Sequence, residues 1–186
     1  MSEWFYCTDF WDLESVPRGP ITFGELVATI KEGIIKPETM VCIDLDDQED
    51  WRPADTFAEV IAECPPDLNE LARLYVVGCE SEEWPEELWW VWEKVFRWVR
   101  HLPQLALDLI VQIVKLEPTH EIAEAIATGP LEELLDAHGA VIITRVEEEA
   151  RRSPLFRYCL AGVWRRTIPD DIWNRLTIAL GTQVRY

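Results

Sequence analysis

The chain has 186 residues, 48% of them hydrophobic, which suits one large domain or two small ones with real cores. Ten tryptophans set it apart from disordered chains, which lack aromatic residues. Against 35 acidic residues stand 17 basic ones, a formal charge of −18. Such a chain repels phosphate backbones, so nucleic acid is excluded as an expected partner and a basic protein or peptide is favoured.

The elements come in two styles. Trp4-Phe5-Tyr6-Cys7 is an aromatic strand candidate, followed by a turn-rich stretch ending at Arg18-Gly19-Pro20. Thr22 and Glu25 have the spacing of a capping box, and Phe23, Leu26, Val27 and Ile30 recur as one helix face, with Gly33 as the stop. Met40-Val41-Cys42-Ile43 predicts a second strand. An acidic loop, Asp44 to Asp50, leads into Trp51-Arg52-Pro53-Ala54, and a short helix is expected from Asp55 to Ala62.

The prolines Pro65 and Pro66 mark a boundary, since two in a row stop a helix and stiffen a linker. The expected divisions are residues 1–64, a linker at 65–82 with its own helical run (Leu68 to Val76), and an all-helical part at 83–186. In that part Pro85, Pro103, Pro118, Pro130, Pro154 and Pro169 stand where helices start. The helix Leu88 to Val99 has polar residues only at Glu93, Lys94 and Arg97. The helix Leu102 to Leu116 has them only at Gln104, Asp108, Gln112 and Lys115. Helices this apolar need neighbours on several sides. Gly139 reads as a helix end, with a further helix from Ala140 to Arg152. The fold class expected is α+β: a small sheet-plus-helix module, then an all-α bundle or a short stack of helix pairs.

Signals of chemistry are sparse. The five cysteines form neither a disulfide framework nor a zinc pattern. There is no signal peptide and no apolar run of membrane length, which makes the cytoplasm the expected compartment. His120 with Glu121 and Glu124 matches no metal-ligand spacing, and no cofactor fingerprint occurs. The best catalytic constellation is His138, Arg145, Glu148, Arg151 and Arg157, where a carboxylate between guanidinium groups can move a proton or hold an anion. The same arrangement also satisfies charges between packed helices, and no catalytic residue is assigned. Trp84, Trp89, Trp90 and Trp92 form a cluster in which Trp89, Trp92 and Phe96 share one face. Trp90 lies on the next, with Lys94 and Trp98 in reach. Such a helix can fill a core with one face and meet a partner with the other.

The first sixty-odd residues resemble the bacterial branch of the GYF family. The resemblance rests on Trp4-Phe5-Tyr6, Gly19-Pro20-Ile21-Thr22, Leu26, Gly33, Ile35, Pro37, Thr39, Val41 and Trp51-Arg52-Pro53-Ala54. The Gly-Tyr-Phe triplet itself is absent, and the acidic loop is an insertion. The resemblance implies a small domain of sheet and one helix that binds proline-rich or extended peptides on aromatic rings. A polyproline helix docks in that way with little loss of entropy. By this resemblance the peptide-binding residues are Trp4, Tyr6, Trp11, Pro20 and Trp51; the alternative is that these aromatics build the module's own core. From about Glu83 onward the chain resembles an uncharacterised bacterial helical family. That resemblance is carried by Gly129-Pro130-Leu131-Glu132-Glu133-Leu134-Leu135, Arg145, Glu148, Ala150, Arg151, Pro154, Phe156, Arg157, Leu160 and Val163-Trp164. It implies a domain and no activity.

Two functional expectations follow, both without catalysis, cofactor or metal. One is an adaptor whose first module takes a proline-rich or extended peptide. The other is an acidic inhibitor, of the immunity-protein kind, that blocks a basic toxin with Asp44, Asp46, Asp47, Glu49 and Asp50.

Overall fold

A computed structural model describes residues 3–8, 10, 15–47 and 50–181. The chain forms two compact units divided between Pro66 and Asp67.

The first unit is a four-stranded antiparallel sheet with short helices. Strands β1 (Glu3–Cys7), β2 (Arg18–Thr22), β3 (Met40–Cys42) and β4 (Arg52–Pro53) lie in the order β2-β1-β3-β4. Trp4 faces Ile21 across the first pair while Tyr6 faces Arg18, so β2 carries an extra residue as a bulge around Gly19 and Pro20. Glycine is required there. At φ +140° no side chain is comfortable, and a Cβ would lie 2.7 Å from the Trp4 carbonyl oxygen. Helix α1 (Phe23–Lys31) starts on the expected capping box: the Glu25 N–H donates to Thr22 Oγ1 (3.2 Å), and the Thr22 N–H donates to the Glu25 carboxylate (2.8 Å). Its face of Leu26 and Ile30 packs with Trp4, Ile35, Val41, Ala54, Phe57 and Val60 into one core. A turn of 3-10 helix, Ala54–Thr56, and helix α2 (Ala58–Glu63) close the unit.

The second unit is all helical: α3 (Leu68–Glu80), α4 (Trp89–His101), α5 (Pro103–Lys115), α6 (His120–Ile126), α7 (Glu132–Arg152), α8 (Pro154–Ala161) and α9 (Asp170–Leu180). Residues expected as a linker therefore contribute α3, capped by the Asp67 carboxylate and packed on α5. Leu107, Leu109, Ile110 and Ile113 of α5 are completely buried, which makes α5 the central helix. Its polar stripe is spent on neighbours. Gln112 donates to Asn69 of α3 (2.6 Å), while Gln104 and Asp108 take the guanidinium of Arg145 on α7.

The helix breaks expected from the sequence are present. Gly129 is non-helical (φ −114°, ψ −108°) within the wide turn Ala127–Leu131, and Pro130 follows it on the way into α7. His138 is likewise non-helical (φ −134°, ψ 16°), so α7 is kinked beside Gly139, which lies directly against Ile172 of α9. Lys94 is 9% exposed, with its Nζ 5.7 Å from the ring centroids of both Trp90 and Trp98. An ammonium can be buried there because the negative faces of the two rings attract it.

Candidate functional site

The peptide-binding set proposed for the sheet module divides when it is placed on the fold. Trp4 is 2% exposed and packs against Phe23 and Phe57, so it is part of the core. Tyr6 packs partly on the same core. Pairing places Tyr6, Val41 and Arg52 side by side on the core face, and the Arg52 guanidinium sits 3.9 Å over the Phe57 ring. One residue before Arg52, Trp51 alternates to the reverse face. There it pairs with Phe10, ring centroids 5.2 Å apart, both half-buried. Tyr6 and Trp51 thus do not share a face. Pro20 is exposed on the edge strand β2. Trp11 lies outside the described residues. The sequence reading missed Phe10, whose only signal was its place next to Trp11 in an aromatic stretch.

The acidic loop is held by two of its own carboxylates. Asp50 accepts from the N–H groups of Ile43 (2.5 Å) and Asp44 (2.8 Å), and Asp44 accepts from the Asp46 N–H (3.0 Å). Asp44 and Asp50 therefore shape the loop and do not simply face a partner. Asp46 and Asp47 are exposed, as are Ile43 and Leu45 at 39% and 44%; Glu49 lies outside the described residues. Beneath the loop, burial and then the charges of Asp50 and Asp44 push the Cys42 thiol up to about 12.

Of the catalytic constellation, Arg145, His138 and Glu148 each meet a different partner. Arg145 turns to α5, donating to Asp108 (2.5 Å) and Gln104 (2.7 Å). His138 Nε2 lies 3.0 Å from the Arg100 carbonyl oxygen. Glu148 reaches Arg152 at 4.0 Å on its own helix. Glu147, outside that constellation and spaced by sequence to meet Arg151, binds Arg175 of α9 by both oxygens (2.8 and 2.7 Å), and that guanidinium holds its carboxyl below the usual range. Arg145 and Glu147 thereby fasten α7 to α5 and to α9. Glu132 does the same at the start of α7. It is 2% exposed, accepts from the Trp164 N–H (3.0 Å) and pairs with the Arg166 Nε (2.7 Å), so it latches the loop between α8 and α9.

The His120 ring lies 4.9 Å from that of Tyr158, tilted by 56°, and the Tyr158 hydroxyl donates to Glu124 (3.2 Å). No group of three potential metal ligands occurs among the described residues, and no described helix is long and apolar enough to cross a membrane. Burial raises the Cys79 and Cys159 thiols to about 11, which leaves them poor nucleophiles at neutral pH.

The tryptophan cluster divides along the helix and not between the two faces expected. Trp98 and Phe96 are buried, one on each face, and the half-buried Trp92 stands 4.4 Å from Phe96. Trp84 lies against Tyr75 and Gly78, its indole N–H donating to the Leu88 carbonyl oxygen (2.9 Å). Trp89 and Trp90 remain 47% and 46% exposed at the start of α4.

Residues 79–183, more than half of the chain, match a family of unknown function (DUF6869). No curated protein and no solved structure matches.

Proposed function

We propose that this chain, which belongs to that family, is a non-catalytic interaction protein whose sheet module is GYF-like and takes a proline-rich or extended peptide. The observation that carries the reading is the Phe10–Trp51 pair. Two large rings lie together, half-buried, on the sheet face opposite Val41, where Cys7 and Cys42 are also buried. Paired rings offer the flat apolar faces on which proline rings stack. In the helical unit Arg145, Glu132 and Arg175 are engaged in ion pairs that join separate elements. Amide chemical shifts followed by NMR during titration with a proline-rich peptide test it. Shifts centred on Phe10 and Trp51, lost in Trp51→Ala, support the reading. Saturating peptide with no shifts overturns it.

A second reading, an acidic inhibitor of a basic protein, draws on the loop at 43–50. Its own hydrogen bonds pre-organise it, so presenting Asp46 and Asp47 to a partner costs little ordering entropy. Under that reading, Asp46→Asn with Asp47→Asn slows association with the basic partner and leaves the fold unchanged.

A further inference from the structure

We infer that Arg52, stacked on Phe57 and level with Tyr6, forms a carboxylate-binding site for an extended peptide, whose carboxylate is its chain terminus or an acidic side chain. The site lies on the core-side face of the sheet, away from Phe10 and Trp51. Failure of that pair to bind proline leaves it standing.

Three observations converge. The first is placement. The register sets Arg18, Tyr6, Val41 and Arg52 level with one another across β2, β1, β3 and β4. Val41 is completely buried, Tyr6 and Arg52 flank it half-buried, and Arg18 is exposed beyond Tyr6. Residues directly opposite on paired strands share a face. Two guanidinium groups and a phenol therefore stand in one row.

The second is how Arg52 is held. Its guanidinium carbon stands 3.9 Å from the centre of the Phe57 ring, which is 3% exposed and meets Trp4 edge-on at 4.9 Å. Stacking of this kind uses the flat face of a guanidinium. Its N–H donors lie in the plane and stay available at the edge. The plane is set before a ligand arrives, so binding loses little ordering entropy.

The third is pairing. Lys31 of the same unit meets Glu63 at 3.5 Å. The Arg52 and Arg18 guanidinium groups and the Tyr6 hydroxyl have no hydrogen bond or ion pair among the described residues. Yet residues 1–64 contain fifteen Asp and Glu against four Lys and Arg. A half-buried cation has lost part of its hydration and recovers it only from an acceptor. Carboxylates are plentiful in the sequence, and none of those described is set against Arg52.

A ligand carboxylate supplies that acceptor, since its two oxygens match the fork of donors. The Tyr6 hydroxyl, two strands or about 10 Å away along the sheet, is left for a carbonyl of the same segment. The acidic surroundings limit the charge of the ligand. They repel a phosphate dianion or a run of acids more strongly than a single carboxylate on a neutral segment.

The test uses the full chain and three fluorescein-labelled peptides of alternating proline and alanine, read by fluorescence anisotropy. One ends in a free carboxylate, one in an amide, and one in an amide with a single internal glutamate. At least one charged peptide is expected to bind about tenfold tighter than the neutral amide. A preference for the free carboxylate makes the chain terminus the source, and a preference for the glutamate makes it a side chain; either supports the site. Arg52→Gln is expected to abolish the preference. Arg52→Lys, which keeps the charge without the fork, should restore only part of it. Tyr6→Phe is expected to weaken binding about fivefold. In the parent protein the Arg52 side-chain N–H resonance should move when the preferred peptide is added, a readout that needs no variant. Equal binding of the three peptides, binding of none, or shifts at Phe10 and Trp51 with none at Arg52 overturns the proposal.

Discussion

The contact of Gly78 with Trp84 opposes two effects whose signs differ. Position 78 lies in the last turns of α3, where Gly78→Ala gains about 1 kcal/mol of helix propensity at most. The new Cβ, however, would lie 2.5, 2.6 and 2.7 Å from three atoms of the Trp84 ring. The ring has little room to retreat. Its N–H is bonded to the Leu88 carbonyl oxygen, and it packs edge-on at 5.4 Å against Tyr75, itself 3% exposed. Overpacking of this kind costs about 1–3 kcal/mol, and losing the indole hydrogen bond about 1 more, so the net effect is a loss of about 2 kcal/mol. Urea denaturation followed at 222 nm, where the helices dominate, should show the midpoint falling by about 1 M, given slopes of about 1–3 kcal/mol/M. In a Trp84→Ala background the steric cost vanishes and the same substitution should become stabilising. If Gly78→Ala stabilises the parent protein, propensity has won and the close contact is refuted.

Other outcomes follow from the same structure. Glu132→Gln should cost about 2 kcal/mol in urea midpoints and speed amide exchange at Trp164, because a buried acceptor shared by Trp164 and Arg166 is weakened; unchanged exchange at Trp164 would dispose of the latch. Arg175 lowers the Glu147 pKa, so the pair stabilises above the ordinary carboxyl value of 4.5 and loses that effect as pH falls through the lowered one. The penalty of Arg175→Ala should therefore be full at neutral pH and shrink in acid; a penalty independent of pH contradicts the pair. With thiols at about 12 for Cys42 and about 11 for Cys79 and Cys159, a thiol reagent at pH 8 should reach these three slowly until the protein unfolds. Fast native labelling of Cys42 would mean that the loop above it opens freely.

Local rules recovered most of the architecture. The Thr22–Glu25 capping box and the α1 face of Leu26, Val27 and Ile30 follow from spacing alone, because their partners lie within the same helix. Pro103 and Pro154 stand at the first position of α5 and α8 for the same local reason. The kinks at Gly129 and at His138, beside Gly139, are local in the same sense. What sequence could not supply depended on distant neighbours. Gly139 lies against Ile172 of α9, and Glu147 meets Arg175 of the same helix. No window of sequence contains both members of either contact.

The candidate sites show the same division in sharper form. A face of a strand is a two-residue property, but which face meets the core is set by the whole sheet. Trp4, Tyr6 and Trp51 look equivalent in sequence; only the pairing of Tyr6 with Val41 and Arg52 puts Trp51 on the reverse side with Phe10. The α7 charges likewise looked like one cluster because they repeat at helical spacing, and they scatter because α5 and α9 lie on different sides of the helix. Helical spacing tells which side chains point the same way, not what stands opposite.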